Sequence, residues 1–140
     1  MSGITQWQAQ ALIYQALIQD SELTSLLANG PDSIFDAVPA HAAFPYLSFT
    51  ESRASFVETQ RYQALQVDMV FDVWSEYQGF KELKDIAAII QKIFQQEDIE
   101  NVDGKLILAK QASSEVTREG DGKTRKLREK WRFIFEANAE

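Results

Sequence analysis

The chain has 140 residues, a formal net charge of −7 at pH 7 and an isoelectric point near 4.7. Its length favours a single domain over residues 1–140, and its content of 45% hydrophobic and 11% aromatic residues excludes an intrinsically disordered chain. The acidic balance argues against free-standing nucleic-acid binding, the lack of cysteine excludes disulfides and thiol chemistry, and the single histidine, His41, excludes a histidine metal cluster.

The sequence also bears on membranes and cofactors. No apolar run approaches the roughly 20 residues that span a bilayer, and the N-terminus lacks the basic and apolar regions of a secretory signal. We therefore expect no membrane partner and a cytoplasm-like compartment. We expect no cofactor, because the sequence contains no nucleophile motif and no glycine-rich phosphate loop that opens a helix.

Two helices are predicted at the N-terminal end. Residues 4–19 form the first, in which Thr5 and Gln8 have the spacing of a capping box. Apolar side chains at helical spacing predict its buried stripe: Ile4, Trp7, Ala11, Tyr14 and Ile18. A short second helix is predicted through Leu23 to Leu27, with Asp20 or Ser21 as its cap and Asn29-Gly30-Pro31 as its stop.

Extended segments follow the two helices. Residues 33–38 are a short strand candidate, and residues 46–51 are a second extended segment, reached through a loop bounded by Pro39 and Pro45. The tract from Ser52 to Gln63 is polar except at Phe56 and Val57. This tract is predicted to be either a long hairpin arm or a mobile loop.

The stretch from Leu65 to Phe94 is the one on which the rest of the chain is organised. Every odd position from Leu65 to Val73 is apolar, which predicts a strand with one buried face. After Gly79 the period changes to three and four residues, which predicts an amphipathic helix with this stripe: Phe80, Leu83, Ile86, Ala87, Ile90, Ile93 and Phe94.

The C-terminal part of the chain predicts a β-hairpin. A strand is expected over residues 105–119, a turn with positive-φ glycines at Gly120-Asp121-Gly122, and a final strand over residues 123–137. In the final strand, Leu127, Trp131, Phe133 and Phe135 face one way, and Lys126, Arg128, Lys130 and Arg132 the other. The order of elements predicts an α+β fold, a mostly antiparallel sheet of four to five strands with two main helices packed on one face.

Two sets of residues are candidates for catalytic chemistry. Asp68 and Asp72 lie four apart on one face of a predicted strand and could form an acid/base pair, but strand alternation alone explains them and we favour that interpretation. His41 could be a lone general base, yet its loop contains no nearby acidic residue, so we favour a surface or packing role.

The basic final strand allows two interpretations of equal weight: a solvated outer face, or an electrostatic stripe that meets an acidic patch on a neighbouring copy. Contact with passing DNA is a third, which the net charge opposes. Phe56 and Val57 could fold back on the body, but we favour anchors that become buried in an assembly. The candidate interface is therefore Arg53, Phe56, Val57, Arg61, Lys126, Arg128, Lys130 and Arg132.

The order of several short motifs resembles a known family. Ala11-Leu12 to Ala16-Leu17 is followed by Phe35-Asp36-Ala37-Val38-Pro39, and then by Ala43-Phe44-Pro45-Tyr46-Leu47. The order is completed by three further motifs: Val73-Trp74-Ser75, the Ile86-Ala87-Ala88-Ile89-Ile90 helix and the Asp121-Gly122 hairpin. This pattern is similar to the small tail-completion proteins (tail-terminator or minor tail proteins) of long-tailed bacteriophages, prophages and gene-transfer agents.

The resemblance implies a non-enzymatic structural protein of the virion tail, assembled in the cytoplasm of the host bacterium. It implies one tail-terminator-like domain that closes into a ring, a hexamer, on top of the tail tube. The ring ends tube polymerisation and docks the tail to the head. Implied partners are other copies of the chain, the tail tube protein and a head-completion or connector protein, with no sequence-specific nucleic acid.

Two alternatives stay open at this point. One is a head–tail connector or neck protein, which would bind a ring on the portal side. The other belongs to a different class, a small acidic ligand-binding or enzymatic domain with Asp68, Asp72 and His41 around a pocket. A closed cavity beside these three residues would favour the second alternative.

Overall fold

The structure, a computed structural model, describes residues 3–58 and 63–138. Within these two ranges, three α-helices and a five-stranded, mostly antiparallel sheet confirm the predicted α+β class. The elements are α1 (Gln6–Gln19), α2 (Ser21–Leu26), a short 3-10 helix (Gly30–Ser33), β1 (Ile34–Phe35), β2 (Tyr46–Glu58), β3 (Gln63–Ser75), α3 (Lys81–Gln96), β4 (Gly104–Arg118) and β5 (Arg125–Ala137).

The sheet has the strand order β1-β2-β3-β5-β4. Only β1 and β2 pair in parallel; the other neighbours are antiparallel. The strand predicted to organise the fold, β3, is the central one, and its five odd positions are all buried: Leu65, Val67, Met69, Phe71 and Val73. Of the described helices, none combines the length and the apolar composition needed to cross a bilayer.

The helices and one face of the sheet share a single hydrophobic core. Phe94 of α3 lies at its centre, with its ring centroid 5.0 Å from those of both Trp131 and Phe133 on β5. These near-perpendicular aromatic contacts stabilise the packing of α3 on the sheet beyond simple burial of area. The predicted α3 stripe is confirmed at five of its seven positions, while Phe80 caps the helix and Ala87 is half-buried; the buried five are Leu83, Ile86, Ile90, Ile93 and Phe94.

The first helix begins as predicted but buries a different face. The Thr5 side chain accepts a hydrogen bond from the Gln8 N–H at 3.1 Å, and the Gln8 side chain accepts one from the Thr5 N–H at 2.9 Å, so the capping box is confirmed. The predicted stripe is wrong within the helix, where Trp7 is 67% and Tyr14 36% exposed. The buried residues are Ala9, Leu12, Ile13 and Leu17.

The error in α1 has a physical cause. Apolar residues occupy both sides of this helix, so their spacing fits two stripes equally well. The smaller aliphatic stripe packs into the core, and the large aromatic side chains stay outside.

The edge strands differ in length from the prediction. β1 has only two residues, whereas β2 continues through the polar tract to Glu58 and pairs with β3 along its length. The hairpin-arm interpretation is therefore confirmed, and the mobile-loop interpretation is wrong, for residues 52–58. Residues 59–62 lie outside the described part of the chain. Backbone pairing with β3 explains how a segment exposed on both faces remains a strand.

The predicted β4–β5 hairpin is confirmed, with a correction in its turn. Gly122 has φ +74°, a conformation that L side chains rarely adopt, but Gly120 has no positive φ. Asp121 accounts for the difference, because its carboxylate accepts hydrogen bonds from the backbone N–H groups of Lys123 and Thr124 and closes the turn itself.

Candidate functional site: the open face of the sheet

The helices cover one side of the sheet, and the opposite side, which we call the open face, carries mostly polar residues. Strand alternation places on it the residues of β3 and β5 that do not enter the core. Its basic residues are Arg53, Lys105, Lys110, Lys126, Arg128, Lys130 and Arg132, and its acidic residues are Glu51, Asp68, Asp72, Glu115 and Glu136.

Two ion pairs of the same geometry join β3 to β5 across the open face. Arg132 donates to both carboxylate oxygens of Asp68 at 2.8 and 3.2 Å, and Arg128 donates to both of Asp72 at 2.9 and 2.9 Å. Each arginine lies directly opposite its partner in the strand register. The fork of a guanidinium fits a carboxylate in this bidentate manner, which fixes the orientation of both side chains.

The ion pairs lower the pKa of both carboxyl groups. The hydrogen bond from Arg132 holds the pKa of Asp68 below its ordinary value. Burial acts to raise the pKa of Asp72, but hydrogen bonds from Arg128 and from Thr50, at 2.7 Å, outweigh it and the pKa is lowered. Both groups are therefore ionised at neutral pH, and neither is poised to exchange a proton there.

The alternative pocket of Asp68, Asp72 and His41 does not form. A depression beside Asp68 is lined by residues of β3, β4 and β5, and neither Asp72 nor His41 contributes to it. His41 lies on the exposed loop between β1 and β2. Within residues 3–58 and 63–138, no group of three or more histidine and acidic side chains could hold a metal ion.

The structure brings together six of the eight predicted interface residues. Arg53 and Val57 of β2 lie on the open face, together with these four residues of β5: Lys126, Arg128, Lys130 and Arg132. Phe56 lies on the opposite face, because adjacent residues of a strand point to opposite sides, and it is 66% exposed there. Arg61 lies outside the described residues.

Several basic side chains of the open face already form contacts within the subunit. Arg128 and Arg132 are held by the two aspartates, and Lys126 contacts Glu119, at 3.3 Å, and the ring of Trp74, 5.4 Å from its centroid. Lys110 and Lys130 are exposed and flank the depression beside Asp68. The basic strand thus serves partly to bind the sheet together and partly to present charge to solvent.

One buried polar residue, Glu129 on the core side of β5, was missed by the sequence analysis. It is fully buried, and its carboxylate accepts hydrogen bonds from Gln111 at 3.0 Å, Ser114 at 2.5 Å and the Trp131 indole at 2.8 Å. Burial raises its pKa, and the three hydrogen bonds offset part of that increase. Glu129 lies between Leu127 and Trp131 at the alternate positions that face the core. This spacing could have predicted from the sequence that Glu129 is buried.

Three comparisons relate the chain to known proteins. Comparison with curated proteins gives no match. Among solved structures, the fold is similar to a chain of the "Virion of native gene transfer agent (GTA) particle", with a TM-score of 0.76 and 22% sequence identity over 91% of this chain and 94% of that chain. That likeness concerns the fold alone.

The family comparison is more specific. The sequence model of the family described as "Tail completion protein gp17" matches residues 11–136, and the resemblance inferred from the order of the motifs is confirmed. Because the match covers most of the chain, the chain belongs to the tail completion protein gp17 family, and it is a structural protein of a phage-type tail, located in the virion.

Proposed function

We propose that the chain caps the tail tube as a ring of copies, six in the arrangement that the resemblance implies. In this proposal residues 1–140 act as one tail-terminator domain without enzymatic activity. The ring ends polymerisation of the tube protein and presents its other side to a head-completion or connector protein. Family membership supports the tail location, and the exposed apolar end of β2 supports assembly.

The end of β2 is the observation that carries the assembly step. Phe56 is 66% and Val57 37% exposed, although both are large apolar residues, and they follow each other on opposite faces of an edge strand. Single exposed apolar residues are common, but two in succession at one strand end, one on each face, leave apolar surface on both sides of the sheet edge. A neighbouring subunit that covered both faces of this strand would remove that surface from water.

The outer side of α1 supports the same proposal. The 14 residues of the helix include no charged side chain, and Trp7 and Tyr14 remain exposed on it. Charged residues are depleted at the centre of protein interfaces because they would lose hydration there. An uncharged helix in a chain with 25% charged residues is therefore suited to contact with protein.

Growth of tail tubes in vitro tests the proposed function. The tube protein is polymerised with and without this chain, and tube lengths and ends are measured by electron microscopy. We expect shorter tubes with a ring at one end, at a ratio of a few copies of the chain per tube. Tubes of unchanged length with bare ends, at every ratio of the two proteins, would contradict the proposal.

A further inference from the structure

We propose that the open face of one copy docks onto an acidic surface on the helical side of the next copy. The proposal rests on the ring described above and names the two surfaces that meet in it. The acidic surface consists of Asp20, Glu22, Glu97 and Asp98, which lie at or next to the C-terminal ends of α1 and α3 and at the start of α2. Its occupant is another copy of this chain, because both surfaces belong to the same molecule and have opposite charge.

The open face is basic in an acidic protein. It carries seven of the 14 Lys and Arg residues of the chain but only five of its 21 acidic residues, while the net charge of the whole chain is −7. Lys110, Lys130 and Arg132 line a depression of about 380 Å³, together with Asp68, which is paired with Arg132, and with Val70. The two lysines are exposed, so the face offers a concave surface with positive charge at its border.

The acidic surface lies where α1 and α3 end. Asp20 follows the last residue of α1, Glu97 follows the last residue of α3, and the last turns of both helices contain no basic residue. Negative charge at helix C-termini is unfavourable, because the aligned peptide dipoles already place partial negative charge there. This arrangement leaves the free subunit with a local excess of negative charge that a cationic neighbour would relieve.

Contacts within the subunit relieve that charge only in part. Asp20 caps α2, where its carboxylate accepts a hydrogen bond from the Leu23 N–H at 2.9 Å. Lys92 forms an ion pair with Glu22 at 2.9 Å, with both side chains more than half exposed. Partial burial raises the pKa of Glu97, and the nearby Asp20 raises it further. Glu97 and Asp98 also border one depression next to α1, so these two carboxylates share a surface.

The placement of the two surfaces suits a ring. The helices pack on one side of the sheet, so the acidic residues at the ends of α1 and α3 lie on the helical side and not on the open face. A cyclic assembly needs two different, complementary surfaces on each copy, because each copy contacts its two neighbours through different sites. Complementary charge would also orient the copies as they meet.

Charge reversal on each surface, followed by mixing, tests the inference. One variant carries Lys110→Glu with Lys130→Glu, and the other carries Glu97→Lys with Asp98→Lys. Self-association is measured by sedimentation velocity at low ionic strength, with and without tube ends. We expect each variant alone to associate about tenfold or more weakly than wild type, because like charges then face each other. An equimolar mixture should regain assembly, since each mismatched surface finds a complementary one.

A matched control separates the effect of position from the effect of charge. Lys84→Glu with Lys123→Glu makes the same charge change on exposed lysines outside both surfaces and should assemble like wild type. Thermal unfolding of all variants shows whether each has folded. A folded open-face variant that assembles like wild type would overturn the inference, as would a mixture that assembles no better than its components.

The test also distinguishes this inference from the proposed function. If the charge-reversed variants cap tubes and assemble as well as wild type, the ring stands and the assignment of its contact surfaces is wrong. If wild type itself neither self-associates nor binds tube ends under any of these conditions, the ring and the docking of copies are both refuted. If wild type binds strongly to the tube wall without self-association, the open face is assigned to the tube protein. That result would overturn the copy-to-copy contact.

Discussion

Asp68 and Asp72 make the same bidentate contact with an arginine in two different environments. The Asp68 side chain is 41% exposed and its Arg132 partner 51%, whereas the Asp72 side chain is only 4% exposed and also accepts a hydrogen bond from Thr50. Water screens the first pair and replaces its hydrogen bonds readily, but it reaches the second carboxylate poorly. The stabilising contribution should therefore differ between two pairs of equal geometry.

Replacing each aspartate in turn measures this difference. We expect Asp72→Asn to lower the free energy of unfolding by about 1–2 kcal/mol, because Arg128 and Thr50 lose a charged acceptor. The exposed pair serves as the control, and Asp68→Asn should cost less than about 0.5 kcal/mol. Urea unfolding at pH 7 provides both values, and equal losses in the two variants would show that burial does not govern the pair.

Because folding lowers the pKa of Asp72, the contribution of Asp72 to the free energy of unfolding depends on pH in a known direction. Folding lowers this pKa from its ordinary value of 3.8, so the stabilisation is present above pH 3.8 and is lost as the pH falls through the pKa of the folded state. The Asp72→Asn variant should therefore approach wild type in stability in strong acid. A difference between the two proteins that stays constant over this range would contradict the assignment.

Glu129 should produce the opposite pH dependence. Its pKa is raised above 4.5 on folding, so it favours the folded state fully below that pH, and this contribution is lost as the pH rises through the pKa of the folded state. We expect the stability of wild type relative to Glu129→Gln to decline over that window. Unfolding experiments at a series of pH values measure it, and a stability difference between the two proteins that does not change with pH would contradict the assignment.

At the scale of single elements, turns and helix faces behave differently. The β4–β5 turn depends on local chemistry: Asp121 accepts hydrogen bonds from the Thr124 hydroxyl and from two backbone N–H groups, and these lower its pKa to about 2. Gly122 supplies the positive φ. Local features of this kind can be predicted from a short stretch of sequence, because few other parts of the molecule take part.

Alanine substitutions at the two glycines of this turn, Gly120 and Gly122, test whether a positive φ makes a glycine necessary. Gly122→Ala should lower the free energy of unfolding by about 1 kcal/mol, because an L side chain is strained at φ +74°. Gly120→Ala is the matched control, since an added Cβ there meets no atom within 4 Å and no positive φ is involved. Chemical denaturation measures both, and equal effects would show that the backbone conformation of Gly122 is not the cause.

The two main helices show when periodicity alone predicts which face of a helix is buried. In α3 the exposed side is mostly polar, so only one stripe can enter the core, and every buried residue of the helix belongs to the predicted stripe. In α1 both sides are apolar, and the choice between them depends on the shape of the space beside the sheet and α3. Large aromatic residues remained outside, where Tyr14 contacts Phe49 with ring centroids 6.4 Å apart.

At the scale of the whole molecule, the features suited to the proposed function are exposed surfaces and not a pocket. The exposed end of β2 presents Phe56 on the helical side and Val57 on the open face. Because the two side chains point in opposite directions, they cannot form one flat patch, and a partner must reach both sides of the strand to bury them. This strand end therefore requires a contact that wraps around the edge of the sheet, in addition to the contact between the open face and the acidic surface.

The double substitution Phe56→Ala with Val57→Ala examines this edge. We expect the unfolding temperature to change little, because both side chains are exposed, while assembly into rings or onto tube ends weakens at least tenfold. Val102→Ala, which truncates a side chain that is 91% exposed elsewhere, controls for the loss of apolar surface. Loss of folding in the double variant would refute the assignment of the arm to assembly.

By itself, the sequence determined the α+β class, the central strand, the amphipathic α3 and the C-terminal hairpin, because each has a single periodicity or a local turn signal. Only the tertiary structure decided which face of α1 is buried, that the polar tract after Glu51 continues as a strand, and that Arg128 and Arg132 bind Asp72 and Asp68. These features depend on which elements lie side by side, and that information is not contained in any one segment.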